Sequence, residues 1–219
     1  MMATPERSKL YVEGRDDSHA IGHLLHRHGI QCLIKGREGD DNATEISAKD
    51  GKGPMLDSIR THVEMSDGRS VGFVLDADDN PQARWSAVRG RLQGFELDLP
   101  EDMPADGYVG VTKYQARVGV WLMPDNQRAG ALEEFLADLV TQGDSLLGLA
   151  ECSTEKARSK GATFPDTERA KAVLHTWLAW QKDPGLPYGT AIKAQFFDHK
   201  SHRALAFVAW YGCLFPSQD

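Results

Sequence analysis

A chain of 219 residues, 41% hydrophobic and 26% charged, has enough apolar material for a real core and the size of one large domain or one domain with a helical appendage. The formal net charge of −7 argues against coating nucleic acid by bulk electrostatics, since phosphate binding relies on Lys and Arg displacing counterions; an acidic metal site with a local basic rim is compatible with it. No apolar run approaches bilayer-spanning length, MMATPERSKL is no secretory signal, and Cys32, Cys152 and Cys213 are too scattered for a disulfide framework, so the expectation is a cytoplasmic protein with buried thiols and no membrane partner.

Lys9 to Val12 is a short apolar run closed by Gly14, and Asp16 or Asp17 can cap a following stretch in which Ile21, Leu24 and Leu25 share a face; this predicts strand, turn, helix. Gln31 to Lys35 suits a second strand, and Gly36 to Gly53 reads as a loop crowded with Gly, Asp and Lys. Pro54 fits a first helical turn ahead of Met55, Ile59 and Val63. Val71 to Leu75 is the clearest strand, apolar throughout as expected of one covered on both faces, and it runs into Asp76-Ala77-Asp78-Asp79-Asn80-Pro81, where Asp79 and Asn80 are suited to cap a helix reaching about Leu92.

Leu97 to Gly107 reads as a surface connection, followed by a hairpin of Tyr108 to Thr112 and Val118 to Met123. Pro124-Asp125-Asn126, with Asn126 the expected cap, leads to a helix carrying Leu132, Phe135, Leu136 and Leu139, with Glu133 and Glu134 near its start. The order predicts an α/β fold with a mainly parallel sheet flanked by helices and a ligand site at the carboxyl ends of the strands. From about Leu146 the chain reads as helical, giving a division into an α/β domain at 1–142 and a helical C-terminal extension at 143–219. Trp177, Trp180, Phe196, Phe197, Phe207, Trp210 and Phe215 have spacings that suit packing better than base stacking.

Glu13 and the pair Asp76 and Asp78 each follow an apolar strand, so adjacent parallel strands would bring three carboxylates to one edge, a site for a hard cation such as Mg²⁺ or Mn²⁺. Tyr11-Val12-Glu13-Gly14 before a helix, and Val74-Leu75-Asp76-Ala77-Asp78 later, resemble the two signature segments of the TOPRIM domain of topoisomerases, bacterial primases, recombination mediators and overcoming-lysogenisation-defect nucleases. Val120 to Asn126, followed by Leu132-Glu133-Glu134-Phe135, is similar to an uncharacterised prokaryotic TOPRIM-like family; the resemblance covers roughly Lys9 to Leu139.

The resemblance implies that Glu13 is a general acid or base, or joins the metal shell, while Asp76 and Asp78 hold Mg²⁺. A second ion would draw on Asp16, Asp17, Glu133 or Glu134. Asp17 and Asp125 are further candidates to line the substrate cleft. Lys113 is a candidate for catalysis and, with Arg117, for contacting phosphate oxygens.

Lys156, Arg158, Lys160, Lys193, Lys200 and Arg203 could supply a basic rim, although such residues are more often simply solvated. His19, His23 and His26 share a helical face but lack a further ligand for zinc. The leading expectation is a metal-dependent nuclease-like enzyme acting on nucleic acid. Two alternatives are a non-catalytic metal- or nucleotide-binding module working through a protein partner such as an ATPase, and a haloacid-dehalogenase-like phosphatase with Asp76 as nucleophile and Asp78 as acid/base, which leaves Glu13 unexplained.

Overall fold

The computed structural model describes residues 7–36, 43–49, 51–113 and 115–216. The α/β expectation holds: a six-stranded sheet, parallel except at one edge, is covered by helices on both faces. In chain order the first part is β1 (Lys9–Val12), α1 (Arg15–Arg27), β2 (Cys32–Ile34), β3 (Thr44–Ala48), α2 (Lys52–Glu64), β4 (Val71–Asp76), α3 (Pro81–Leu92), β5 (Tyr108–Val111), β6 (Arg117–Met123) and α4 (Leu132–Ala137). The helices α5 (Ser145–Ser159), α6 (Arg169–Ala179), α7 (Tyr188–Lys193) and α8 (His202–Leu214) follow. The strands lie in the order β2-β3-β1-β4-β6-β5, with only β5 antiparallel to its neighbour.

The strand β3 is a correction to the expected loop at 36–53, of which residues 37–42 and 50 lie outside the described residues. Its sequence TEISA carries one strongly apolar residue, Ile46, so the hydrophobic signal of a strand is nearly absent; parallel pairing with β1 and β2 supplies what the side chains do not. Its place beside β1 leaves β1 central.

Along β1, β4 and β6 successive side chains point to opposite faces, as strand geometry requires. Leu10, Val12, Val74, Trp121 and Met123 join one core with α1, α4, α6, α7 and α8. Tyr11, Phe73, Leu75, Val118, Val120 and Leu122 join a second core with α2 and α3. The C-terminal helices are therefore no separate unit: Phe207 and Trp210 of α8 pack on Trp121 of β6, and the Trp210 indole donates to the Tyr108 carbonyl at 3.0 Å. The boundary drawn at 142 falls in a loop, yet one core runs across it.

Of the C-terminal aromatics, Trp177, Phe197, Phe207 and Trp210 are buried as expected, while Trp180 is exposed. Among the thiols only Cys32 is buried, with burial pushing it up to about 12; Cys152 and Cys213 are exposed, against expectation, because their helices turn those positions outward. Among the described residues no helix is long and apolar enough to cross a membrane.

The seat of α8 explains two glycines in central strands. Gly72 and Gly119 are register partners on β4 and β6, and a Cβ at either would stand 2.7 Å or 2.5 Å from Leu214 Cδ2. Gly119→Ala overpacks this contact and is expected to lower stability by about 1–3 kcal/mol in urea unfolding. An unchanged midpoint would show that Leu214 yields freely.

Candidate metal centre

Parallel pairing of β1 with β4 aligns Val12 with Val74, so Glu13 leaves β1 level with Leu75, one residue short of Asp76, at the carboxyl edge of the sheet. Glu13 Oε1 accepts the Asp76 backbone N–H at 3.1 Å, and Asp76 Oδ1 accepts the Leu132 N–H at 3.2 Å. Asp17 reaches the same place from the first turn of α1, and Glu133 from the start of α4, where Tyr188 of α7 donates to its Oε1 at 3.4 Å. Asp78 lies beyond the strand end in a left-handed conformation, φ 51°, held by paired backbone hydrogen bonds with Gly130.

Five carboxylates from three parts of the chain thus crowd one edge, and their protonation shows it. Burial pushes the Asp76 carboxyl up to about 8, with repulsion from Asp17, Glu13, Glu133 and Asp78 adding to it. Burial likewise pushes Asp17 up to about 7, reinforced by Glu13 and Glu133 against hydrogen bonds from the backbone of Asp17 and Gly14. Glu13 is raised by burial, less the help it receives from the Asp76 N–H and Arg84. Glu133 is raised by burial too.

Two clefts meet here. One of about 460 Å³ is lined by Asp17, Asp76, Asp78, Glu133 and Glu134, with Lys171 at its wall; the other, of about 650 Å³, contains Lys52, Arg84 and the start of α3. Asp78, Ala131, Glu134 and Thr167 border both. Lys52 and Arg84 each form an ion pair with Asp78 Oδ2.

Among the described residues no three His, Cys, Asp or Glu side chains already stand grouped to hold an ion, so convergence on one requires side-chain rotation. The chemistry of the set fits a hard divalent cation: its donors are carboxylate oxygens, and its like charges disfavour ionisation until positive charge arrives.

The other sequence candidates divide. Glu134 borders both clefts but spends Oε2 on the Ala131 N–H at 2.8 Å, closing the first turn of α4. Asp125 is a correction: it does not line either cleft but is buried in a latch, accepting from the Gln127 and Arg128 N–H groups and pairing with Arg128 and Arg203. Burial alone would raise it; the Arg128 bonds win and hold it below the usual carboxylate range. Asn126 is no helix cap but ties its loop to the sheet, accepting from the Leu122 N–H at 2.7 Å and donating to the Ala105 carbonyl at 3.0 Å.

Lys113 is also a correction. β5 runs antiparallel, so the turn between β5 and β6 lies at the opposite edge of the sheet, where Lys113 pairs with Glu96 and Arg117 donates to the Cys213 carbonyl. Arg203 and Arg158, proposed for a basic rim, are committed to carboxylates: Arg203 to Asp125 and Asp138, Arg158 to Asp166. His26 meets the Cys32 carbonyl oxygen at 3.0 Å.

Sequence reasoning overlooked Lys52 and Arg84. Arg84 interrupts the buried stripe of α3 formed with Trp85, Val88 and Leu92, and a charge on that stripe was the available signal.

Residues 7–216 match the family described as Protein of unknown function (DUF3226), and since that is nearly the whole chain, the protein belongs to this family. No curated protein and no solved structure matches the chain.

Two predictions follow from the geometry. Asp76 and Asp17 bind protons more tightly folded than unfolded, so metal-free stability falls as pH rises from about 4 towards about 8. Urea unfolding should show a loss of a few kcal/mol across that window, reduced in Asp76→Asn to the part that Asp17 carries; equal slopes in the two proteins would refute the crowding. Asp125→Ala should cost about 2–3 kcal/mol by breaking the latch, while Mn²⁺ affinity stays within about twofold. A selective loss of Mn²⁺ binding would restore Asp125 to the site.

Proposed function

We propose that this edge is a Mg²⁺- or Mn²⁺-dependent, nuclease-like site of the TOPRIM kind, cleaving phosphodiesters of nucleic acid. The observation that carries it is the convergence of Glu13, Asp17, Asp76, Asp78 and Glu133 on one sheet edge, with burial and then its carboxylate neighbours pushing Asp76 up to about 8. Support comes also from the order of the elements: both segments that resemble TOPRIM signatures end on adjacent parallel strands.

On this reading Asp76, Asp78 and Asp17 would hold the ion, which supplies a Lewis acid for a phosphoryl oxygen and lowers the pKa of water. Glu13 is held by the Asp76 N–H beside them, and its raised pKa suits it to take and return a proton at its free oxygen. Tyr188, kept as a phenol by burial and Glu133, orients that carboxylate by donating to it. Glu133 is thereby available as a further ligand. The phosphatase alternative gives Glu13 no task, although its side chain bonds directly to the backbone of the proposed nucleophile.

The test is incubation of purified protein with plasmid, linear DNA, single-stranded DNA and RNA in Mg²⁺ or Mn²⁺. Cleavage should vanish with chelator and fall at least about a hundredfold in Asp76→Ala, consistent with several kcal/mol of lost charge stabilisation. Undiminished cleavage in that variant would sink the assignment. No cleavage of any substrate would transfer the site to a binding module that acts through a partner protein.

A further inference from the structure

The larger cleft, of about 650 Å³, raises a separate question, because its two cations face a site built from carboxylates. Lys52 stands at the start of α2 and Arg84 one turn into α3, and the side chains of both are committed to the same oxygen, Asp78 Oδ2. The Arg84 side chain is only 3% exposed, yet among the described residues its Nη1 has no hydrogen-bond partner. A desolvated guanidinium with an unpaired N–H is costly, and an anionic oxygen is the partner that relieves it.

The surroundings suit such an anion. The α3 N-terminus, capped by Asn80 accepting from the Ala83 N–H, opens on the same cleft and presents the positive end of a twelve-residue helix. Leu56, Ala83 and Ala87 form an apolar wall beside it, where a sugar or base can lie without specific recognition. Asp79, Glu134 and Asp166 also line the cleft, and their charge penalises a doubly charged phosphomonoester more than a singly charged diester.

We propose that Lys52 and Arg84 form a phosphodiester subsite gated by metal. With no cation present, Asp78 holds both side chains; when Asp78 turns to a divalent ion at the neighbouring carboxylates, Lys52 and Arg84 are released to grip the backbone of a nucleic-acid strand. This rests on the metal-site reading and adds an order of binding to it: metal first, strand second.

The probe is fluorescein-labelled tetrathymidylate followed by anisotropy, with Ca²⁺ replacing Mg²⁺ to suppress cleavage, and with Mn²⁺ binding measured separately by electron paramagnetic resonance. Wild-type protein should bind the strand at least about tenfold more tightly with Ca²⁺ than without. Lys52→Ala, at an exposed side chain, and Arg84→Gln should each lose about tenfold or more of that affinity, while Lys52→Ala, which removes a competitor for Asp78, binds Mn²⁺ at least as tightly as wild type. Asp78→Asn, which frees the pair, should bind the strand without metal about fivefold more tightly than wild type.

A Lys52→Ala protein that binds both Mn²⁺ and the strand as wild type does would overturn the subsite and leave the metal reading standing. Failure of wild type to bind Mn²⁺ at all would overturn the metal reading and the gate with it. If Asp78→Asn shows no metal-free gain, the gate is wrong. If thymidine 5′-monophosphate displaces the strand at equal or lower concentration, the diester assignment is overturned in favour of a free nucleotide.

Discussion

Parallel strands all present their carboxyl ends at one edge of a sheet, and here that constraint collects charge that would otherwise disperse. Glu13 and Asp76 leave neighbouring strands β1 and β4 one residue apart in register, and Asp17 and Glu133 are brought to them by the first turns of the helices that follow β1 and β6. Burial then opposes ionisation of Asp17 and Asp76, and the neighbouring carboxylates increase the opposition. A fold could avoid this cost by protonation, by ion pairing or by binding a cation. Asp125 takes the second route, with Arg128 and Arg203, and stays ionised. Among the described residues Asp76 has no cation as a hydrogen-bond partner, which sets the two apart although both stand at strand ends of the same sheet.

Rigidity at that edge comes from packing on both sides of the sheet. The first core fixes α1, and with it Asp17, through Ile21, Leu24 and Leu25; the second fixes α3, and with it Arg84, through Trp85, Val88 and Leu92. The helices after residue 143 serve the site as well as the core. α7 lies so close on α1 that a Cβ at Gly189 would stand 2.8 Å from the His19 carbonyl oxygen, and the same helix carries Tyr188 to Glu133. Thr167, Glu168, Ala170 and Lys171 close one side of the acidic cleft. An isolated piece ending at residue 142 would lack that wall and half of the first core.

How much of this was legible in the sequence depends on whether a signal is local. Val71 to Leu75 followed by Asp-x-Asp declares a buried strand and its charged exit, and Glu13-Gly14 declares another; both elements are where the pattern put them. β3 was hidden because TEISA has one strongly apolar side chain, so its strand state comes from two neighbours that the local pattern does not name. Lys113 was misplaced because a hairpin after parallel strands reverses direction, which sends its turn to the far edge. Asp125 and Asn126 sit at the expected strand exit, but their use in a latch depends on Arg203 and Ala105, far away in sequence. Arg84 was missed for a different reason: its partner Asp78 is close in sequence, but a lone charge on a helix stripe reads as solvated until its burial is known.

An acidic protein that handles a polyanion must keep its negative charge from repelling the substrate while retaining enough of it to hold a cation. On the proposed reading the two clefts divide this task in space, and Asp78 is where they join, bordering both and holding both cations by one oxygen. The side chain of Asp78 is 43% exposed, far more open than that of Arg84, so it has room to turn away from the buried guanidinium. Without an ion, the ion pairs cancel the charge that would attract a strand, and the net charge of −7 repels it. With an ion in the carboxylate cleft, positive charge rises on both sides of Asp78 at once. On the proposed reading the same residue that completes the metal shell thereby sets the local sign of the field, and the unfavourable net charge becomes a means of refusing substrate until the ion is in place.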